Sequence, residues 1–154
     1  MRRFTHRDWL TRAVPIALWV GVFALYASTA APGTVFGDPS EYQFIPAIGG
    51  IAHPPGYAFY TLLAKLWQTL VPVGSVAFRT NLLASAVGAG VVTAVYFIVL
   101  DLGQATSDQR AGSPLIPLFS ALALAAAPDL WQHAAHANAH IVSAALAMCH
   151  LALL

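Results

Sequence analysis

From Asn81 to Leu100 the chain runs twenty residues without a charged side chain, and from Ala13 to Ala31 it does so again for nineteen. A helix rises about 1.5 Å per residue, so each run is about long enough to cross a hydrocarbon core roughly 30 Å thick. Composition argues against a water-soluble alternative. Hydrophobic residues make up 58% of the 154 residues and charged residues 8%, where a soluble domain carries roughly 25% charged residues. That is too little charge for a water-facing surface, and the sequence predicts an all-α, multipass transmembrane helical bundle. The formal net charge of +1, with no long basic stretch, gives no case for nucleic acid. Cys149 is the single cysteine, so an internal disulfide is excluded and a metal cluster has no thiolate partner.

The arginines give an orientation. Arg2, Arg3, Arg7 and Arg12 all precede the first apolar run, which places the N-terminus in the cytoplasm and the chain in the inner (plasma) membrane. Spans are expected at about 13–31, 81–100, 114–131 and 139–154, with Pro15 in the first turn of the first. The fourth is short for a span and is read as truncated, so the chain is expected to be the N-terminal part of a larger protein. A cleavable signal peptide ending in the small residues Ala27 to Ala31 is the alternative reading of the first run. In the second span, Ala84 with Gly88 and Ala86 with Gly90 repeat at helical spacing, which lets helix backbones approach closely in lipid. Residues 32–79 hold six prolines together with Asp38, Glu41, His53 and Lys65. They are expected to form a long extracytoplasmic loop with short interfacial helices, Tyr57 to Leu70 being one. The polar stretch from Asp101 to Ser113 is then cytoplasmic.

The chemistry concentrates in Gly37-Asp38-Pro39-Ser40-Glu41-Tyr42 and Ala52-His53-Pro54-Pro55-Gly56-Tyr57. Two carboxylates three residues apart share a face if the segment is helical. The same letters also spell a helix start, with Asp38 as N-cap, Pro39 at the first position and Glu41 reaching back as in a capping box. Both readings of Asp38 stand at this level. Pro54 holds the backbone of His53 extended, which fixes its side chain relative to Tyr57.

These motifs, with the run Gly74-Ser75-Val76-Ala77-Phe78-Arg79-Thr80-Asn81-Leu82-Leu83, resemble a bacterial multipass membrane family. That family is related to protein O-mannosyltransferases, within the GT-C glycosyltransferase superfamily. Its usual form reads Gly-Asp-Ser-Gly-Glu-Phe, then His-Pro-Pro-Gly-Tyr, then a Val-Ala-Phe-Arg-Asn-Leu run. The resemblance implies a GT-C-like fold and transfer of a sugar from a polyprenyl-phosphate donor to a hydroxyl-bearing acceptor, proteins among them. It implies Asp38 and Glu41 as the catalytic carboxylates, with His53, Tyr57 and Arg79 in substrate binding and no cofactor. Pro39-Ser40 departs from the family form and stiffens the turn after Asp38.

A second polar stretch, Trp131 to His140, resembles a family segment in which a Glu stands at the position of Asn138 and a Tyr at that of His140. His136, Asn138 and His140 are therefore further substrate-binding candidates. His133, His136 and His140 fall at i, i+3 and i+7 on one helical face. Three such rings suit a metal, but polar side chains in a span more often line a wet interior, and no metal is expected. Two non-enzymatic alternatives remain from sequence: a transporter-like bundle with its polar residues at mid-bilayer, and a non-catalytic membrane scaffold.

Overall fold

The computed structural model describes residues 6–105 and 115–153, with side chains from residue 13 onward. The Arg2, Arg3, Arg7 and Arg12 side chains behind the orientation argument, and most of the stretch after Ala105, lie outside these described residues. The described residues form seven helices and no strand. They are α1 (His6–Thr29), α2 (Asp38–Ile48), α3 (Ala58–Leu70), α4 (Val76–Ala105), α5 (Leu115–Ala125), α6 (Pro128–Ala135) and α7 (Ala139–Leu151).

The central helix is α4, which packs against all six others. The helix continues past both ends of the apolar run expected from sequence. Ser75 explains the earlier start at Val76: its hydroxyl accepts the Phe78 amide at 3.1 Å, the bond of a serine cap. At the other end the helix takes in Asp101 to Ala105, which sequence assigns to a loop. Gly88 sits where helices press hardest. A methyl group there would lie 2.8 Å from the Ala134 Cβ and 3.1 Å from Ile141 Cδ1. Gly90, its counterpart in the second small-residue pair, faces open space.

Among the described residues, only α4 is by itself long and apolar enough to cross a membrane. The expected third span is two helices: α5 and α6 pass the length test together but bend by 65°. Pro128 opens α6, where its missing N–H costs nothing. The break leaves carbonyls at the end of α5 without helical partners, and the buried Tyr26 hydroxyl donates to one of them, Ala125, at 2.9 Å. The apolar parts of α1 (Ala13–Thr29) and α7 (Ala139–Leu151) are shorter than a full span. Because α1 begins at His6, Pro15 lies inside the helix and not in its first turn.

The end of α1 is fastened to α6 by the Ala31 amide on the Ala135 carbonyl at 3.0 Å and the Trp131 indole on Thr29 Oγ1 at 2.9 Å. Above α4, the pair α2 and α3 covers its N-terminal end through a buried polar network. Gln68 Nε2 donates to Thr80 Oγ1 at 2.7 Å and to the Gln43 carbonyl at 3.1 Å, and Gln43 Nε2 donates to Asn81 Oδ1 at 2.8 Å. Side-chain amides buried in this way persist only when their hydrogen bonds are made.

Candidate functional site

The site is built at the head of α2. Gly37 is the N-cap residue, at φ 80 and ψ −156, a conformation essentially confined to glycine. Asp38 and Pro39 open the helix with no side-chain cap. The capping-box reading is therefore corrected on both counts. Asp38 is already helical, one residue past the capping position, and Glu41 faces elsewhere.

Glu41 grips His53. One carboxylate oxygen accepts the His53 backbone amide at 2.6 Å, and the other lies 2.5 Å from Nδ1 of the ring. His53 is pushed above the ordinary histidine range by this bond to Glu41. Glu41 is held below its ordinary range by the same bond, with the His53 amide adding to it. Both shifts favour the charged forms, a carboxylate against an imidazolium, and the contact at Nδ1 leaves Nε2 of His53 for another partner. Asp38 is exposed one turn earlier, and its charge also favours protonated His53.

Aromatic rings wall the pair. Tyr42, 2% exposed, meets Tyr57 edge-on at 5.3 Å and Tyr60 at 5.4 Å. Tyr57 stands edge-on to His53 at 5.7 Å and to His140 at 5.8 Å. Burial pushes the hydroxyls of Tyr42 and Tyr60 well up, so both stay protonated. The Tyr42 hydroxyl has no hydrogen-bond partner among the described residues. Tyr57 holds φ 47 as it starts α3. A non-glycine residue in that region is uncommon and persists only where its surroundings fix it. Between α3 and α7 lies a cavity of about 310 Å³, lined by Tyr57, Tyr60, Ala139, Val142 and Ser143 among others.

The remaining sequence candidates divide. His140 reaches the cluster through Tyr57. Asn138 is the N-cap of α7: its Oδ1 accepts the His140 amide at 2.7 Å, and its Nδ2 donates to His133 Nδ1 at 2.7 Å. His136 sits in the break between α6 and α7, its ring 6.1 Å from that of His133. The expected single face of three histidines is thus corrected, because the helix stops at Ala135 and restarts at Ala139. No group of three metal-ligating side chains occurs among the described residues. Arg79 engages the turn after α3, donating to the carbonyls of Gln68 and Gly74 at 3.2 Å each. A cation there suits the negative end of α3.

Sequence reasoning missed Tyr42, Gln43 and Asn81. A signal was present for Asn81. A carboxamide at the head of an otherwise apolar span is costly in lipid and demands a partner.

The sequence itself has counterparts among known proteins. Residues 38–154 match the model of the protein O-mannosyl-transferase TMEM260 N-terminal domain, and the chain belongs to that family. It is 39% identical over 87 residues to protein O-mannosyl-transferase TMEM260 of Mus musculus, a match covering 56% of this chain and 12% of that protein. It is 29% identical over 91 residues to protein O-mannosyl-transferase tmem260 of Dictyostelium discoideum, covering 58% of this chain and 11% of that protein. The chain thus matches only a small part of the length of these relatives. No solved structure matches it.

Proposed function

We propose that this chain supplies the N-terminal region of a multipass membrane glycosyltransferase of the GT-C type. The enzyme moves a sugar, mannose in the first instance, from a polyprenyl-phosphate donor to an acceptor hydroxyl, with proteins as acceptors. The observation that carries this reading is the Glu41 grip on His53, with the exposed Asp38 carboxylate one turn away at the head of the same helix. The names of the relatives support mannosyl transfer to protein.

The chemistry follows from the charges. An alcohol is a poor nucleophile until a positioned base takes its proton. Asp38 takes the acceptor proton as the acceptor oxygen attacks the anomeric carbon. The bond from that carbon to the phosphate oxygen breaks, and polyprenyl phosphate leaves with the electron pair. His53, kept protonated by Glu41, offers Nε2–H to the leaving phosphate, a charge-assisted bond. Tyr57 and His140 wall the space beside it. Attack opposite the leaving group inverts the sugar.

The membrane setting is supported by the outer face of the α2–α3 pair. Phe44, Ile48, Phe59, Leu62, Leu66 and Leu70 are all more than half exposed, while Gln43 and Gln68 are buried. Apolar residues outward and amides inward suit a pair of helices lying in the lipid interface. In this reading residues 32–79 face outside the cell, the N-terminus and the loop after α4 face the cytoplasm, and α1, α4, the bent α5–α6 pair and α7 form the spans.

The test uses the full-length protein, purified in detergent. Radiolabelled mannose supplied on polyprenyl phosphate should become covalently bound to a polypeptide acceptor, and mannose supplied as a sugar nucleotide should not. Absence of transfer, with accumulation of a solute in proteoliposomes, would favour the transporter-like alternative instead.

A further inference from the structure

Asn81 is fully buried at the head of α4, 0% exposed, where an uncharged run to Leu100 begins. Its Oδ1 accepts two hydrogen bonds at once, from Gln43 Nε2 at 2.8 Å and from the Ala137 backbone amide at 2.8 Å. Its Nδ2 donates to the Ala31 carbonyl at 2.7 Å. Both lone pairs of the oxygen are thereby used, which fixes the orientation of the amide.

The two donors belong to opposite walls of the site. Gln43 stands on α2, two residues after Glu41 and next to Tyr42. Ala137 precedes Asn138, the residue that caps α7 and holds the His140 amide. His140 then meets Tyr57 across the site. One oxygen atom on α4 therefore joins the carboxylate-bearing helix to the joint that carries His140. Closing such a junction with an apolar residue would leave the Ala137 amide buried and unpaired, since that amide lies in the break between α6 and α7 and has no helical partner.

We infer that Asn81 is a positioning residue for the proposed reaction, setting the distance between the α2 wall and the α7 wall of the site. This rests on the glycosyltransferase reading for its chemical consequence but not for its geometry. The catalytic effect of such spacing is steep, because a displacement of about 1 Å can cost on the order of 10²-fold in rate.

The experiment uses the full-length protein and two readouts. Spin labels are placed at the exposed Cys149 on α7 and at an introduced cysteine, Phe44→Cys, on the exposed face of α2. With Asn81 present the distance distribution should be single and narrow, and Asn81→Ala should broaden it. In unlabelled protein, Asn81→Ala should lower kcat per folded molecule on the order of 10²-fold, with little change in KM for the lipid-linked donor. A merely structural residue would lower the unfolding temperature and leave both readouts unchanged, and that result would overturn the inference. If Asn81→Ala does not fold, Asn81→Asp replaces it. A protonated carboxyl at this site again offers an acceptor oxygen and a donor to Ala31, so its turnover relative to the unsubstituted protein should recover as pH falls. A flat relative profile would overturn the inference equally. Should the unsubstituted protein transfer no sugar, the reaction reading fails by itself, and the distance distribution alone decides whether Asn81 sets the spacing.

Discussion

Glu41 holds His53 by two atoms at once, the backbone amide at 2.6 Å and the ring Nδ1 at 2.5 Å. A side chain fixed to the backbone and the ring of the same residue cannot let the ring swing without breaking one of the two bonds. The imidazole is thereby oriented, and the same contact favours its charged form.

The first prediction is a pH window. His53 has a raised folded pKa, so its contribution to stability is full below its ordinary value of 6.5 and is lost as pH rises through the raised value. Glu41 has a lowered folded pKa, so its contribution is full above its ordinary value of 4.5 and is lost as pH falls through the lowered value. Both are fully present between pH 4.5 and 6.5. The difference in unfolding temperature between the unsubstituted protein and Glu41→Gln should be greatest in that interval and shrink on either side. A difference that does not vary with pH would mean that the pair is not ionised.

A second prediction concerns the break between α5 and α6. Tyr26→Phe removes the donor to the Ala125 carbonyl and leaves a buried acceptor unpaired. Loss of one partner of a buried hydrogen bond costs about 1–3 kcal/mol. Equilibrium unfolding in detergent should show destabilisation in that range, and an unchanged midpoint would show that the carbonyl finds another donor.

The two glycines of α4 should behave oppositely. Gly88→Ala forces a methyl against Ala134, Ile141 and Tyr26, and overpacking of this kind costs about 1–3 kcal/mol. Gly90→Ala meets nothing within 4 Å and gains helix propensity of about 0.5–1 kcal/mol. Paired unfolding curves of the two variants check the contrast; equal effects would mean that α4 is not pressed to α6 and α7 at Gly88.

Asn138 should be needed for the start of α7. Asn138→Ala loses the cap on the His140 amide, a change worth about 1 kcal/mol, and Asn138→Asp should retain most of it. Faster hydrogen exchange at the first turn of α7 in the alanine variant, and slower exchange in the aspartate variant, is the expected pattern. Equal protection in both would show that the turn is held by packing alone.

Much of this architecture was legible in the sequence. The all-helical class follows from long uncharged runs. That His53 is held relative to Tyr57 follows from the proline after it; that the two rings meet is seen only in the fold. What was not legible depended on partners far away in the chain. Asp38-Pro39-Ser40-Glu41 has the letters of a capping box, but Glu41 finds a better partner in His53, twelve residues on, and Gly37 takes the capping position. The histidines of the second polar stretch look like one face only if the helix continues. It stops at Ala135, and Asn138 starts a new helix by accepting the His140 amide on its side chain. The role of Asn81 depends on Gln43 and Ala137, which only the folded chain brings together.

Asp38 is the proposed base of the sugar transfer. Asp38 makes no side-chain cap, so its replacement by Asn leaves the local hydrogen bonding of α2 as it is. The deciding measurement is the rate of mannosyl transfer from a polyprenyl-phosphate donor by full-length Asp38→Asn protein that inserts and unfolds like the unsubstituted one. A loss of about 10²–10⁴-fold is expected, the usual contribution of a general base. Transfer at a near-normal rate would contradict it and remove Asp38 from the chemistry.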